Sequence, residues 1–583
     1  MAVSPFDADD VVLAARRELE QQIIVHEMSL IQIRIRLNTL VLIARLPPEV
    51  LAEIFAAYIC AHGQPEVPIR LSSGPHQPYA WLVITHVCHH WRTVALGTPS
   101  LWTEVYLTQP ECVQMMLTRS KQVPLSILLP RNPLRQNHRL TLEHALAQLH
   151  RIRRLDLSVS FADLEKLDSA RLGDPIQLRE LVLARLFHMN EKPSGTLLLP
   201  IISRLATARL QSLLIYNLPL IAFRELLMPT LTSLSLSNCS PSIDVMCILK
   251  VLQTMPKLRL LHLTSVLASS GLLSRDARYT ADLPHLEHVT VSDMPPQCAA
   301  LLSNLCLSSN AAVTLTLDHY IMLEPSSFSS VLSPIASAID STMSSTPLQV
   351  LSILQGVYSR IELEGWTRDA PQDSEQKPDR KFVVRISTKA SFEGAVETFL
   401  NGLHLADVKY LKVQSSIITW RELMCFVNLT RLSVIGVKGL TDRIIGLPRA
   451  LEVVGGGYTL STMKSEASAY DPKSIMCPHL ESLRLENVKF AASPTRIIPD
   501  DFLPVLLRAL QSRAACGIKL KHLDIARAEN FTASTVQQLK GSVEKLHWDE
   551  IENVQMPRFR EEDTEDEVEM EYDDDDGDSD YQP

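Results

Sequence analysis

The feature that most constrains the fold of this 583-residue chain is a leucine pattern that returns at intervals through its middle. The pattern has the form L-x-x-L-x-L, and other apolar residues replace some of the leucines. Clear copies lie at 152–157, 178–183, 210–215, 231–236, 258–263, 286–291, 408–413, 429–434, 480–485, 520–525 and 543–548, with weaker copies at 312–317 and 348–353. The central residues of the first six copies follow each other at intervals of 26, 32, 21, 27 and 28 residues. A structural unit repeated at such a period predicts a stacked array.

Each copy of the pattern predicts one short strand. Its last three residues alternate with period two, so one face of the strand is apolar, and stretches such as 243–253 and 296–305 have helical spacing. A single unit cannot bury its leucines, whereas a stack of units can. We therefore predict an α/β fold in which residues 150–555 form a leucine-rich-repeat solenoid with a parallel inner sheet and outer helices. Irregular spacing, a charged loop at 361–381 and a Ser-rich stretch at 324–347 indicate degenerate repeats.

The alternation also predicts which side chains line the concave side of such a solenoid. If the leucines of each L-x-L point inward, the residues beside them face a partner. These residues are His288, Tyr410, Lys412, Arg431, Arg484, His522, Asp524, Lys545 and His547. Such polar, cationic and aromatic groups suit an unknown protein substrate, and a solvated face without a ligand is the alternative. The cationic bias of the last repeats predicts an acidic substrate or masking of this face by the C-terminal tail.

The charge of the chain is concentrated at its C-terminus. The formal net charge is −10, yet residues 561–583 contain fourteen acidic residues and no Lys or Arg. The remaining chain is therefore close to neutral. A block of like charge with few apolar residues cannot offset the entropy lost on ordering, so we expect residues 556–583 to form a disordered acidic tail.

Residues 1–45 predict an N-terminal helix. Apolar residues and one histidine step by four and three positions through Leu19, Ile23, His26, Leu30, Ile33, Leu37 and Leu40. This heptad spacing is typical of a coiled coil, which would make the chain a homodimer through residues 10–45. The apolar face is wider than a narrow seam, because it also includes Ile24, Val25, Ile31 and Ile35. A helix that packs on its own chain is the alternative interpretation.

Several classes of function lack their sequence signals. The ten cysteines contain no C-x-x-C pair, so we expect free thiols in a reducing compartment, cytoplasmic or nuclear. No signal peptide and no membrane-spanning run are recognisable. Phosphate-binding, zinc-protease and hydrolase motifs are absent, so we expect no enzyme and no cofactor. The Arg151, Arg153 and Arg154 cluster lacks interleaved aromatic residues, so direct nucleic-acid binding is not expected.

One stretch resembles a chemical site, namely I-T-H-V-C-H-H-W at 84–91. On a helix, His86 and His90 are four residues apart and could share a metal ion, and a Cys88–His pair could act as a nucleophile. No second ligand cluster and no orienting third group support either interpretation. Val87, Cys88, Trp91, Val94 and Ala95 instead form one apolar face of a helix predicted near 80–97. The stretch is therefore interpreted as a packing helix.

Three neighbouring motifs share one resemblance. They are L-P-P-E-V-L-A-E-I-F at 46–55, V-C-H-H-W-R-T-V-A at 87–95 and T-P-S-L-W at 98–102, followed by a further matching stretch at 117–129. Together they resemble the F-box-like proteins that are expanded in mushroom-forming fungi, and the repeats behind them fit that architecture more loosely. The resemblance divides the chain into an F-box-like helical domain at 46–107, a connector at 108–149 and the repeat array.

The resemblance implies a non-catalytic substrate receptor of an SCF-type ubiquitin ligase. In that family the F-box binds a Skp-type adaptor and through it a cullin, while the repeats hold the substrate. The implied adaptor-facing residues are Leu46, Pro47, Pro48, Ile54, Phe55, Val87, Cys88 and Trp91. The loop at 61–80 is longer than in a compact F-box, which puts adaptor binding in question. The alternative is an adaptor-independent scaffold that binds basic partners such as histones through the acidic tail.

Overall fold

A computed structural model describes most of the chain outside its C-terminal end. The described residues are 5–63, 79–128, 138–157, 173–184, 200–268, 279–317, 323–344, 346–355, 360–368, 380–388, 392–414, 416–418, 420–436, 444, 446–452, 476–491 and 501–552. The predicted tail at 556–583 and most of the loop at 61–80 lie outside them. No helix within the described ranges has the length and apolar character needed to cross a membrane.

Helices and strands alternate along most of the chain. The α-helices are α1 Pro5–Thr39, α2 Pro48–Gly63, α3 His89–Gly97, α4 Pro110–Arg119, α5 His138–Leu146, α6 Pro200–Leu205, α7 Val245–Gln253, α8 Pro295–Ser303, α9 Phe328–Ser341, α10 Phe392–Leu400, α11 Gly446–Leu451, α12 Phe502–Ala515 and α13 Ala533–Lys540. Short 3-10 helices lie at Leu42–Arg45, Ala80–His86, Pro99–Trp102, Leu149–Arg151, Leu220–Leu226, Pro325–Ser327 and Trp420–Cys425. The two stretches predicted to be helical between strands correspond to α7 and α8.

The strands are short and regular. They are β1 Glu104–Tyr106, β2 Leu125–Leu128, β3 Ile152–Leu157, β4 Glu180–Ala184, β5 Ser212–Tyr216, β6 Ser233–Ser237, β7 Leu260–Thr264, β8 Ala281–Leu283, β9 His288–Ser292, β10 Leu305–Leu307, β11 Ala312–Leu317, β12 Val350–Gln355, β13 Arg360–Trp366, β14 Arg380–Ser387, β15 Tyr410–Gln414, β16 Arg431–Ile435, β17 Ser482–Glu486, β18 His522–Ala526 and β19 Lys545–Trp548. Each predicted L-x-x-L-x-L segment contributes one of these strands.

The chain divides into two compact units. The first comprises Met1–Thr346, Val357–Glu364 and Asp379–Leu403, and the second comprises Pro347–Gly356, Gly365–Pro378 and His404–Pro583. In the first unit, parallel strands pair in the order β1, β2, β3, β4, β5, β6, β7, β9, β11 and β14. In the second unit, the parallel order is β12, β15, β16, β17, β18 and β19. The predicted α/β class with a mostly parallel sheet and N-terminal helices is confirmed.

The parallel ladder extends further toward the N-terminus than the leucine pattern indicates. It begins with β1 and β2, which both precede residue 150, where the repeat array was predicted to start. Their segments, E-V-Y and L-S-I-L, are too short to show the full pattern. The region predicted as a connector at 108–149 therefore contributes a paired strand, β2, with α4 and α5 on either side.

Burial follows the predicted alternation along each strand. In β17, Leu483 and Leu485 are fully buried, while Ser482 and Arg484 keep part of their surface exposed. Because the strands are parallel and in register, the buried leucines form rows that continue from one strand to the next, as Leu432, Leu483 and Leu523 do. Each such leucine contributes roughly 1.5–3 kcal/mol of hydrophobic stabilisation. These rows form the core of each unit.

The residue after many of the strands adopts a left-handed backbone conformation. The φ angles are 57°, 53° and 55° at Asn217, Asn238 and Asn487. The backbone N–H of each of these asparagines donates to a carbonyl oxygen at the end of the next strand in the ladder. Asparagine tolerates this conformation better than most residues. Gly436 follows β16 at the corresponding position, and a Cβ there would collide with the carbonyl oxygen of Asn487. The left-handed turn is therefore shared by β5, β6 and β17, while Gly436 makes the same backbone hydrogen bond without a positive φ.

Two segments differ from their predictions. The charged loop predicted at 361–381 begins as strand β13, in which Ile361 and Leu363 are fully buried. Its acidic residues pair with β14, since Glu362 lies 2.7 Å from Arg385 and Glu364 lies 2.8 Å from Arg380. The Ser-rich stretch predicted at 324–347 contains the amphipathic helix α9. Its buried residues are Phe328, Val331, Leu332, Ile335, Ala336 and Ile339. In both segments the polar residues lie on one face and the buried apolar residues on the other. The composition of a segment does not show this separation into faces.

The N-terminal helix predicted for 1–45 is present as α1 and a following 3-10 helix. Its apolar residues are largely exposed, with Leu19 at 60%, Ile23 at 56% and Leu37 at 59%. Their exposure disfavours the interpretation in which the helix packs on its own chain. Dimerisation through this helix stays a prediction.

One buried cation fixes helix α12 to the core of the second unit. The Arg513 side chain is fully buried, and burial lowers the pKa of its guanidinium. Its Nη1 and Nη2 donate to the carbonyl oxygens of Met476 and Cys477 at 3.0 and 2.9 Å. Met476 and Cys477 lie shortly before β17 in the sequence. Arg513 therefore joins helix α12 to the segment that enters this strand.

We expect Arg513→Met to destabilise the second unit by about 2–4 kcal/mol, because two buried carbonyl groups lose charged donors. Urea denaturation followed by circular dichroism measures the loss. Arg508→Met on the same helix is the control, since Arg508 is exposed and its replacement should change stability by less than about 0.5 kcal/mol. Equal losses in the two variants would contradict this role of Arg513.

Candidate functional site

Residues 42–107 form a small helical module with an aromatic core. Helix α2 buries Leu51 and Phe55, and the ring of Phe55 lies 5.0 Å from the ring of Trp91 on α3. Trp102 is fully buried, and its indole N–H donates to the carbonyl oxygen of Ala95 at 2.8 Å. A buried indole needs such a partner, because an unpaired N–H costs free energy. The indole N–H of Trp102 is therefore satisfied within its own chain.

The start of α2 follows from its sequence. Pro48 opens the helix at a position where the missing N–H costs nothing, and the amide of Leu51 donates to the carbonyl oxygen of Pro47. Glu49 lies in the first turn, where the helix dipole favours a negative charge. Leu51 and Phe55, four residues apart, face the core. Val50 and Ile54, also four residues apart, face outward.

The stretch at 84–91 does not form one continuous helix with its flanks, as predicted for 80–97. A 3-10 helix ends at His86, and α3 begins at His89. Cys88 between them has extended backbone angles, and its Sγ accepts the amide N–H of Trp91 at 3.5 Å. The cysteine therefore caps α3, which breaks the helical register that placed Val87, Cys88 and Trp91 on one face. Val94 is buried as predicted, whereas Val87 is 55% exposed.

The histidines of this stretch are not gathered into a ligand set. His86 and His89 are exposed, and His90 is half-buried. Within the part of the chain that the structure describes, no group of three or more His, Cys, Asp or Glu residues is arranged to hold a metal ion. The geometry gives the stretch a packing and capping role.

Two tyrosines and one arginine attach the module to the parallel ladder of the first unit. The Tyr79 hydroxyl accepts the amide N–H of Tyr106 at 2.9 Å and donates to its carbonyl oxygen at 3.2 Å. Burial raises the pKa of Tyr106 to about 12 and that of Tyr79 further still, so both hydroxyls keep their protons. Arg119 on α4 lies 4.3 Å above the Trp102 ring. Tyr106 belongs to β1, so the last residues of the module form the first strand of the ladder.

The module presents apolar side chains to solvent, which we call the exposed apolar set. They are Leu42, Ile43, Val50, Ile54, Val83 and Val87, with exposed fractions between 39% and 77%. Single exposed apolar residues are ordinary, but six in one small module make it a candidate binding surface. Sequence reasoning missed Leu42, Ile43, Val50 and Val83. The four-residue spacing of Val50 and Ile54 was the available signal for one of them.

The residues implied as adaptor-facing differ in their exposure. Pro47, Pro48, Ile54 and Val87 are exposed, whereas Leu46, Cys88 and Trp91 are half-buried. Phe55 is only 1% exposed, because it packs beneath Trp91. In the free chain Phe55 therefore lies in the core of the module. A direct contact between Phe55 and an adaptor stays a prediction.

A second candidate surface is the polar face of the ladder in the second unit. We define this polar face by two rows that run across β15 to β19. The first row is Tyr410, Arg431, Ser482, His522 and Lys545, and the second is Lys412, Ser433, Arg484, Asp524 and His547. Strand register thus brings together eight of the nine residues predicted from alternation. His288 lies apart from them, on β9 in the first unit.

Side chains on the polar face contact one another across the strands. The Arg431 guanidinium lies 5.1 Å from the centre of the Tyr410 ring. His547 Nδ1 lies 3.9 Å from Asp524, and Arg484 lies 3.7 Å from Glu486. The face therefore holds cations, acids and an aromatic ring at the spacing of adjacent strands, about 4.8 Å.

The corresponding face of the first unit has different chemistry. Its two matching rows from β5 to β11 are Ser212, Ser233, Leu260, His288 and Ala312, and Leu214, Ser235, His262, Thr290 and Thr314. They contain no Asp, Glu, Lys or Arg. Sequence reasoning missed His262, whose Nε2 lies 3.0 Å from the Thr264 hydroxyl and whose pKa is lowered by burial. The contrast between the two faces was visible only once the strands were aligned.

We expect Phe55→Ala to destabilise the module by about 3–5 kcal/mol, because it removes a buried ring that supports Trp91. The neighbouring change Ile54→Ala should cost less than about 0.5 kcal/mol, because Ile54 is 41% exposed. Thermal denaturation monitored through tryptophan fluorescence distinguishes the two. A similar loss of stability in both variants would contradict the placement of these neighbours on opposite faces of α2.

Comparison with known proteins identifies a related family for one part of the chain. No curated protein matches it. The family model described as F-box-like matches residues 43–108, which cover the helical module from Ile43 onward and every member of the exposed apolar set except Leu42. The match does not extend to the rest of the chain. Residues 43–108 of this protein therefore form an F-box-like domain.

Proposed function

We propose that this protein is the non-catalytic substrate-recognition subunit of an SCF-type cullin-RING ubiquitin ligase. An F-box-like domain suggests a role as a substrate adaptor of a ubiquitin ligase, and F-box domains generally bind a Skp-type adaptor. The observation that carries the proposal is that the matched residues include every member of the exposed apolar set except Leu42. A domain that packs its aromatic core within its own chain and still exposes these apolar side chains has a surface to bury against a partner.

The proposed adaptor surface combines the implied residues with those that the structure adds. Ile54, Val87, Pro47 and Pro48 would contact the adaptor directly, together with Val50, and the half-buried Leu46, Cys88 and Trp91 would lie at its edge. Apolar groups at the centre of an interface supply most of its binding energy once water is excluded. Phe55 would act from beneath by holding Trp91 in place.

For the ladders we propose leucine-rich repeats stacked as a solenoid, with the polar face as the surface that binds a protein substrate. The recurring leucine segments, the buried L-x-L rows and the shared left-handed turn support this interpretation. We place the protein in the cytoplasm or nucleus, with a cullin reached through the adaptor. Its wider likeness to the F-box-like proteins of mushroom-forming fungi, and a homodimer through α1, stay predictions.

Purified full-length chain should co-elute with a Skp-type adaptor in size-exclusion chromatography. The double variant Ile54→Glu, Val87→Glu should weaken that binding by about 100-fold or more, because each change buries an unpaired charge in the interface. The two sites are exposed, so circular dichroism should show an unchanged fold. Ile221→Glu, at a 70% exposed apolar residue outside the F-box-like domain, is the matched control and should bind normally.

A folded wild-type chain that fails to bind any Skp-type adaptor would overturn the ligase proposal. The alternative would then lead, namely an adaptor-independent scaffold that holds basic partners such as histones through the acidic tail. Equal weakening by Ile221→Glu and by the double variant would instead show that binding does not use the exposed apolar set.

A further inference from the structure

The polar face of the second unit carries cations at regular positions. Lys412, Arg431, Arg484 and Lys545 lie on β15, β16, β17 and β19. One acidic residue, Asp524, lies on the face and another, Glu486, borders it at the end of β17, and both have basic neighbours. Asp524 lies beside His547, and Glu486 contacts Arg484 and Arg527. The net charge of these groups is therefore positive.

The most acidic segment of the chain is attached to the edge of this face. Strand β19, which carries Lys545, ends at Trp548, and the fourteen acidic residues of 561–583 follow after a short connection. An extended chain covers about 3.3–3.6 Å per residue, so the nine residues from 553 to 561 reach up to about 30 Å. The distance from β19 to β15 is about 19 Å, which is four strand spacings. The acidic segment can therefore reach every cation of the face.

We propose that residues 561–583 dock on the polar face of their own chain and compete there with an acidic substrate. The proposal rests on the proposed function, because it takes the polar face as the substrate surface. The carboxylates would accept charge-assisted hydrogen bonds from Lys412, Arg484 and Lys545. Docking occupies the face in the resting chain, and a substrate binds only by displacing the tail.

Two observations favour the tail of the same chain over other occupants. A tethered segment acts at an effective concentration of about millimolar, which a free acidic protein rarely reaches. The matching rows of the first unit carry no charged residue from β5 to β11, and on β4 and β3 they continue with Glu180, Asp156 and Arg154, so they offer the tail no net positive charge. In the sequence, the acidic segment follows β19, the strand at one end of the cationic face.

Zero-length carbodiimide coupling tests the contact in the full-length protein, because it joins a lysine amine directly to a carboxylate that touches it. We expect intramolecular cross-links between Lys412 or Lys545 and residues 561–583 in the monomer, identified by mass spectrometry. At about 1 M salt the screening length falls to about 3 Å, and the cross-links should disappear. Cross-links formed only between chains, or tail cross-links to lysines at random, would overturn the proposal.

A labelled peptide of residues 561–583 tests competition in trans. It should bind a full-length variant, in which the fourteen tail acids are replaced by Asn and Gln, at least about tenfold more tightly than it binds the native chain, whose own tail occupies the face. In that neutral-tail background, the triple change Lys412→Glu, Arg484→Glu, Lys545→Glu should weaken peptide binding by about tenfold or more.

The matched control is Lys257→Glu, Lys519→Glu, Lys540→Glu, which reverses three exposed lysines that lie off the polar face. It should leave peptide binding unchanged. Equal weakening by both triple variants would mean attraction to net charge alone, and equal binding to native and neutral tails would exclude masking. Adaptor co-elution is measured separately on the same variants. A failure of tail docking therefore leaves the adaptor result intact, and the reverse also holds.

Discussion

Parallel pairing of short strands with alternate burial is the constraint on which the rest of this structure depends. A strand such as β17 buries only Leu483 and Leu485, so it has no stability without neighbours that continue the same rows. Register in turn decides which outward side chains become neighbours. Lys412 and Arg484 come from positions more than seventy residues apart, yet they share one row two strands apart. The buried rows, by fixing the strand register, therefore determine which outward side chains lie next to each other.

The sequence was sufficient to predict the strands wherever leucines mark the buried positions. It was insufficient where the outward positions are charged, as in β13, because Glu362 and Glu364 obscure the alternation of Ile361 and Leu363. Those acids pair with Arg385 and Arg380, which lie about twenty residues later in the sequence. Such compensation is a tertiary effect. In the same way, the serines of α9 lower its apparent hydrophobicity without changing its buried face.

At the F-box-like domain, the residue types were predictable but their directions were only partly so. Phe55 and Ile54 are adjacent apolar residues of one motif, and only the packing against Trp91 decides that the first is buried and the second exposed. The break at Cys88 was hidden for a similar reason. In a periodic pattern, cysteine counts as a small apolar residue. Here the Sγ of Cys88 accepts the backbone N–H of Trp91, and the residue interrupts the helix.

The junction between the F-box-like domain and the first ladder has a mechanical consequence. Strand β1 belongs to the matched residues and also pairs with β2, so no linker separates the domain from the first strands. Tyr79 bonds both backbone groups of Tyr106, and Arg119 covers Trp102 from the next helix. Any reorientation of the domain would break these contacts and the β1–β2 pairing together. The direction in which the exposed apolar set faces is therefore a property of the fold, and an adaptor bound there would hold the first strands in one orientation.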